Sequence, residues 1–280
     1  MHQLLTKNQI NRSLNDINIW LKHNKLSLNV DKSKYMIFHN PQKKFKKPKL
    51  CIDSTEIELV NTFNFLGLEI DSKLSWSAHT TKIQNKISRA MGVINRLKNF
   101  LPTSIKVMLY NALILPHINF NILLWGQFSS RIFKLQKKIM RILVCSKYNA
   151  HTEPIFKSLN MLKIEDIYTI SKLKFYYKHV HNKLPFCLQK IPIQLVSDIH
   201  RHATRNQNKF SVPRVNHHFA NNAICYKIPK CLNDVHTCVL EKVNTHSLSG
   251  FNFYLKRYYI DRYSLNCLID NCYICQHIMT

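Results

Sequence analysis

Glycine is nearly absent from this chain, with four in 280 residues. That excludes P-loops and dinucleotide fingerprints, whose several glycines let the backbone close on phosphate groups. Acidic residues are also scarce: 15 Asp and Glu stand against 41 Lys and Arg. No two aspartates are adjacent in the sequence. A nucleotidyl-transfer centre needs paired carboxylates to hold two metal ions ~3.5–4 Å apart, and none is apparent. Asp31 and Asp71 fall near strand ends, where a metal ligand could sit. An isolated aspartate in such a place more often serves a turn or a cap. Long apolar runs are missing as well. The most apolar stretch, Ala112 to Trp125, is interrupted by Pro116, His117, Asn119 and Asn121, short of the ~18 residues of a membrane span. The opening residues, from Met1 to Lys7, lack the apolar core of a signal peptide. No nucleophile elbow marks a hydrolase.

What is present is a folded, strongly cationic chain. Hydrophobic residues make up 45% of it, which suits a buried core and not a disordered tail. The formal charge of +26 makes a compact chain repel itself, and a polyanion relieves that repulsion. Nucleic acid is the expected partner, because phosphate contacts release condensed counterions; no membrane partner is expected. Nine cysteines, an odd number in a chain too long to need disulfide staples, read as reduced thiols of an intracellular protein, nuclear or cytoplasmic and not secreted.

Periodicity divides the chain into four stretches. Ile10, Leu14, Ile17 and Leu21 recur at helical spacing and predict an amphipathic helix over about 3–25. Residues 27–77 read as short strands: Tyr35 to Phe38, Lys49 to Ile52, Ile57 to Val60 and Phe65 to Ile70, with Gly67 suggesting a bulge or a close backbone approach. Residues 78–184 read as successive helices. Ile83, Ile87, Met91, Ile94 and Leu97 form one stripe. A second helix runs from 103 to 115 and is broken by Pro116, and Leu135, Ile139, Ile142 and Leu143 mark a third. Further helices are predicted from Thr152 and over Glu165 to His181. Beyond 185 only Ser247 to about Tyr263 is clearly periodic. The fold class is α+β, mainly α. A small antiparallel sheet near the N-terminus (1–77) precedes a helical bundle (78–184) and an irregular helical C-terminal region (185–280).

Helical spacing gathers the basic residues. Lys82, Lys86, Arg89 and Arg96 share one face of the first bundle helix, and Lys134, Lys137, Lys138 and Arg141 share one face of a later helix. Neither face carries interleaved acids, so phosphate contact is favoured over a solvated ion-pair lattice. Lys43, Lys44, Lys46, Lys47 and Lys49 form a third cluster, which suits phosphate contact or a nuclear-localisation signal equally. Near the end, Cys267, Cys272, Cys275 and His277 offer four ligand-type side chains, with Cys225, Cys231 and Cys238 as alternatives. The close spacing of Cys275 and His277 departs from a structural zinc site, so zinc and free thiols both stay open.

Several of these segments carry a family pattern. Ile19-Trp20-Leu21-Lys22-His23-Asn24-Lys25-Leu26-Ser27-Leu28-Asn29, followed by Asp31-Lys32-Ser33-Lys34, is one. Phe65-Leu66-Gly67-Leu68-Glu69-Ile70-Asp71, continued by Leu74-Ser75-Trp76 and His79, is another. Leu101-Pro102, Tyr110, Pro116, Trp125-Gly126, Leu135 to Lys138, Arg141 and His151-Thr152 with Pro154 extend it, as do Thr204-Arg205 and Ser247 with Phe251. Together they resemble the region that follows the catalytic motif in reverse transcriptases of jockey-type non-LTR retrotransposons.

The resemblance implies roles. The hairpin around Phe65, Leu66 and Gly67 would be a primer grip at the base of the palm, and the helices over about 78–145 a thumb that tracks the template–primer duplex through its backbone. Lys32 would lie near the phosphates of the incoming nucleotide and help neutralise or protonate pyrophosphate. The family's Asp-Asp motif, with the fingers and most of the palm, is expected before residue 1 in the same polyprotein. Mg2+ is therefore expected only for the intact parent polymerase, with no cofactor and no catalytic residue in this chain. The alternatives are a stand-alone nucleic-acid-binding remnant without polymerase activity and a decayed element without function.

Overall fold

A computed structural model describes residues 7–38, 48–52, 55–199, 205–215 and 221–264. The chain divides into two compact units, residues 1–79 and 80–280. The chain as a whole is of a mainly helical α+β class, with strands confined to the first unit among the described residues.

The first unit opens with α1 (Lys7–His23). Only part of its apolar stripe is used: Ile10 and Leu14 pack on Leu50, Ile52 and Ile57, joined by Leu28, Val30 and Tyr35. Ile17 and Trp20 stay exposed. After α1 come β1 (Lys34–Tyr35), β2 (Cys51–Ile52), β3 (Thr55–Glu56), β4 (Glu58–Leu59), β5 (Thr62–Phe65) and β6 (Leu68–Asp71). They form three two-stranded sheets: β1 with β4 in parallel, β2 with β3 and β5 with β6 antiparallel. Lys34 and Glu58, partners in the β1–β4 register, are also ion-paired.

The stretch expected as one strand, Phe65 to Ile70, is instead the closed end of the β5–β6 hairpin, with Phe65 paired to Leu68. Leu66 and Gly67 both have positive φ, 49° and 89°, as a two-residue type I′ turn requires. Gly67 therefore turns the chain and makes no bulge. The Asn64 Oδ1 accepts the Gly67 N–H at 3.0 Å, holding the turn from inside.

Helix α2 (Ser77–Leu97) begins in the first unit and continues into the second. The remaining helices are α3 (Thr103–Leu113), α4 (Leu115–Asn119), α5 (Ile122–Trp125), α6 (Ser130–Leu143), α7 (Glu153–Ser158), α8 (Ile164–Val180), α9 (Phe186–Gln189), α10 (Val196–Ile199), α11 (Ile224–Asp234), α12 (Thr237–Thr245) and α13 (Leu248–Asp261). Pro116 does not simply end a helix. It occupies the first turn of α4, where its missing N–H would have no intrahelical partner in any case.

Helix α8 is the axis of the second unit. It packs against α5, α6, α11 and α13, and it buries Ile170, Leu173, Phe175 and Tyr177 around most of its circumference. A helix covered on several sides needs no amphipathic stripe. Its residues join Ile228, Leu232, Val239, Val243, Phe251 and Leu255 in one core. Residue 185, the expected second boundary, lies within this unit, between two helices that share that core. Helices α11 and α12 were not foreseen. Pro229 inside α11 hides the first, although the ring is buried and the helix continues past it.

Glycine scarcity shapes the helix ends. At α1, α6, α7 and α8 the closing residues are Lys25, Cys145, Asn160 and Asn182, all with φ near +50°. In each case the next N–H reaches back five residues: Leu26 to Leu21, Ser146 to Arg141, Met161 to Phe156 and Lys183 to Lys178. This is the Schellman arrangement, in which glycine is the usual occupant of the left-handed position.

Candidate nucleic-acid interface

On α2, Lys86, Arg89 and Arg96 are exposed and Lys82 is half-buried. Ile83, Ile87 and Ile94 are buried. At about 100° per residue the basic stripe lies about 120° round the helix from them, flanking the core and not opposing it. His117 of α4 lies within the field of Lys86: burial, and then that charge, hold its imidazole below the ordinary range.

On α6 the arrangement is diametric. Ile132, Gln136, Ile139, Met140 and Leu143 are buried, while Lys134 and Lys138 are exposed on the other side. Lys137 is half-buried, with its Nζ 4.3 Å from the Phe133 ring centroid, a cation–π contact that leaves the charge without a counter-ion. Arg141 is turned inward in part. Its Nε donates to the Ala150 carbonyl at 2.7 Å, tying down the loop after α6, and burial lowers the pKa of its guanidinium. Among the described residues, Lys86, Arg89, Arg96, Lys134, Lys137 and Lys138 form no ion pair with a carboxylate.

In the first unit, Phe65 and Leu66 at the hairpin tip are 54% and 82% exposed. The base of the hairpin is anchored by Asp71, whose Oδ1 accepts the N–H groups of Lys73 and Ser75 and whose Oδ2 accepts those of Trp76 and the Ser75 hydroxyl. These bonds hold a backbone that passes through left-handed conformations at Leu74 and Trp76. Asp71 is thus a turn organiser, and its oxygens do not fit a metal pair. Lys32 is exposed on a turn built by Asn29, whose Oδ1 accepts the Lys32 N–H and whose carbonyl accepts the Ser33 hydroxyl.

Among the described residues no group of three or more His, Cys, Asp or Glu is placed to hold a metal ion. Cys231 is buried, which pushes its thiol up, and Cys225 and Cys238 are free and half-buried. Cys267, Cys272, Cys275 and His277 lie outside the described residues, as do Lys43, Lys44, Lys46 and Lys47. No single described helix is long and apolar enough to cross a membrane, and the most apolar pair of segments is bent by 61° at its break.

Neither α2 nor α6 contains an aspartate or glutamate. The sequence is 21% identical over 155 residues to a protein of Drosophila melanogaster described as a probable RNA-directed DNA polymerase from transposon X-element. A transposon polymerase is a relative of this chain. The match covers 52% of the chain and only 17% of that polymerase. No family model matches, and no solved structure does.

Reading the sequence missed two groups in the second unit. Burial, and then the charges of Lys172 of α8 and Lys230 of α11, lower Lys227 of α11 to about 8. Lys172 lies 4.4 Å from the Tyr168 ring and Lys230 lies 6.0 Å from that of Tyr226. The i, i+3 pair Lys227 and Lys230 was the available signal, hidden with α11 itself. Lys106 is the other group, only 3% exposed, its Nζ donating to the Lys98 carbonyl and contacting the Cys145 sulfur, both at 3.2 Å.

Proposed function

We propose that this chain is the carboxy-terminal, nucleic-acid-gripping part of a jockey-type retrotransposon reverse transcriptase, and that it holds template–primer duplex through backbone phosphates without itself copying RNA. The single observation that carries the reading is that Lys86, Arg89 and Arg96 on α2, and Lys134, Lys137 and Lys138 on α6, form no ion pair with a carboxylate among the described residues. Unpaired surface cations of this kind gain most from a polyanion, since each phosphate neutralised releases counterions. The transposon-polymerase relative supports the same reading.

In this proposal the hairpin tip at Phe65, Leu66 and Gly67 lies against the primer strand, and Lys32 faces the phosphates of the incoming nucleotide. The two-metal chemistry belongs to an Asp-Asp motif on the fingers and palm of the same polyprotein, where Mg2+ would bind. RNA, DNA or their hybrid is the partner, met inside the cell. In this reading the carboxylates of this chain take no catalytic step.

The test is binding of a hybrid duplex of about 20 base pairs, followed by fluorescence anisotropy between about 50 and 200 mM salt. The log–log slope should be steep. Neutralising Lys86, Arg89, Lys134 and Lys138 together to Gln should flatten it by about 0.9 per lost phosphate contact, or about 3 to 4 units in all. A salt-independent affinity, or a slope untouched by the four changes, would remove the interface.

A further inference from the structure

We propose that the cavity bounded by α3, α4, the α7–α8 loop, α8 and α13 is a nucleotide pocket that takes one nucleobase with its attached phosphate. The cavity holds about 640 Å³ and is lined by Lys174, Lys256 and Asn252 among polar residues, with Ile122, Ile167 and Ile170 among apolar ones. Its size falls within the ordinary range for small-molecule sites.

Three features define the occupant. The first is charge. The lining contains two lysines and no aspartate or glutamate. Neither lysine is ion-paired with a carboxylate among the described residues. Burial, and then the neighbouring Lys178, hold the Lys174 ammonium below its ordinary range. A half-buried cation without a counter-charge is costly, and an incoming phosphate would supply one.

The second feature is an unmet polar group. The Asn252 Oδ1 is buried and has no hydrogen-bond partner. A buried acceptor left unmade costs about 1–3 kcal/mol, and an exocyclic amine or ring N–H of a base would satisfy it. Exchange of the amide ends would present a donor instead, and a base edge offers acceptors as well. The third feature is the apolar wall. Ile122, Ile167 and Ile170 give aliphatic surface that a heterocycle can cover. Inorganic phosphate uses only the first feature, an apolar ligand only the third, and a nucleotide uses all three.

This pocket goes beyond the grip on duplex phosphates and does not rest on it. The cationic stripes of α2 and α6 supply none of its lining residues, and its ligand is a single nucleotide, free or unpaired at a strand end. The full chain is titrated calorimetrically with the four ribonucleoside 5′-monophosphates, the matching nucleosides and inorganic phosphate. At least one monophosphate should bind, and about tenfold more tightly than its nucleoside or phosphate. Lys174→Gln and Lys256→Gln should each weaken it about tenfold. Asn252→Leu should weaken it severalfold without changing phosphate binding, while the exposed Lys209→Gln should change nothing. Competition by a 5′-phosphorylated tetranucleotide would assign the pocket to a strand end, and its absence would assign it to a free nucleotide. Lys256 is exposed, so its variant reads the pocket even where changes at buried positions prevent folding. Failure of every monophosphate to bind, equal binding of phosphate alone, or no effect of Lys256→Gln would overturn the proposal. Each of these outcomes leaves the salt-dependence test of the duplex grip independent.

Discussion

The buried Gln136 side chain of α6 donates from Nε2 to the Tyr110 hydroxyl of α3 at 2.9 Å, joining two helices in the interior. The same nitrogen donates to the Leu162 carbonyl at 3.0 Å, and the Oε1 accepts the Ile164 N–H at 2.9 Å, at the start of α8. One amide therefore fixes three elements, and only one orientation of it satisfies both backbone groups. Burial pushes the Tyr110 phenol up to about 12, the Gln136 bond opposing this in part.

Replacing Gln136 by Leu keeps the volume roughly constant and orphans a hydroxyl, a carbonyl and an N–H. The expected loss is about 2–4 kcal/mol, since each unmet buried polar group costs about 1–3 kcal/mol and the effects overlap. Urea unfolding would show it as a lower midpoint. A variant within about 0.5 kcal/mol of the parent would mean that water replaces the amide.

Gly126 presses against Tyr168. A Cβ at position 126 would stand 2.4 Å from the Tyr168 Cδ2 and 2.9 Å from the Ile122 Cγ1. Gly126→Ala should therefore cost about 1–3 kcal/mol by overpacking. Adding Tyr168→Leu should recover part of that loss in a double-mutant cycle. Strictly additive losses in the cycle would show that the ring is not what excludes the methyl group.

Asp166 gives a pH signature. Burial raises its pKa above 3.8, with the Tyr263 hydroxyl that donates to it, and then Lys163, opposing the shift. A carboxyl raised on folding binds its proton more tightly in the native state. Its contribution is fully present below the ordinary value of 3.8 and is lost as pH rises through the folded value. Asp166→Asn, which can still accept from Tyr263, should flatten the fall of Tm with pH between 3.8 and the folded value. Identical Tm–pH curves for the two proteins would contradict this assignment.

Lys25 occupies the left-handed position at the end of α1, with φ of 56°. Lys25→Gly relieves a strain of about 1–2 kcal/mol and restores some unfolded-state entropy. The net gain should be about 0.5–1 kcal/mol by chemical denaturation, with helical circular dichroism unchanged. Destabilisation would show that the lysine side chain contributes more than its conformation costs.

Much of the fold was legible because hydrophobic spacing survives in single helices: α2, α6 and α13 follow from their isoleucine, leucine and aromatic repeats. The hairpin was half legible. Gly67 read as a bulge or a close approach within one strand, and Leu66 in place of the usual asparagine gave no sign of a two-residue loop. α11 was masked by Pro229. The cationic faces followed from spacing, yet spacing alone does not reveal that Arg141 reaches inward to Ala150 or that the α2 stripe flanks its core. Gln136, which reads as one polar residue among lysines, is buried because its partners come from α3 and from the chain leading into α8, distant in sequence. The nucleotide-sized cavity draws on residues between positions 107 and 256, and no local pattern could assemble it.

The helix ends closed by Lys25, Cys145, Asn160 and Asn182 have a consequence for how this sequence can drift. The bond that reaches back five residues at each of these ends joins backbone atoms alone, so this part of the boundary is encoded in the register of N–H and C=O groups and not in the identity of the side chain in the left-handed position. Substitutions at these four positions should leave the shape of the molecule unaltered while grading its stability in small steps. They act as a dial on robustness that selection can turn without touching either cationic face.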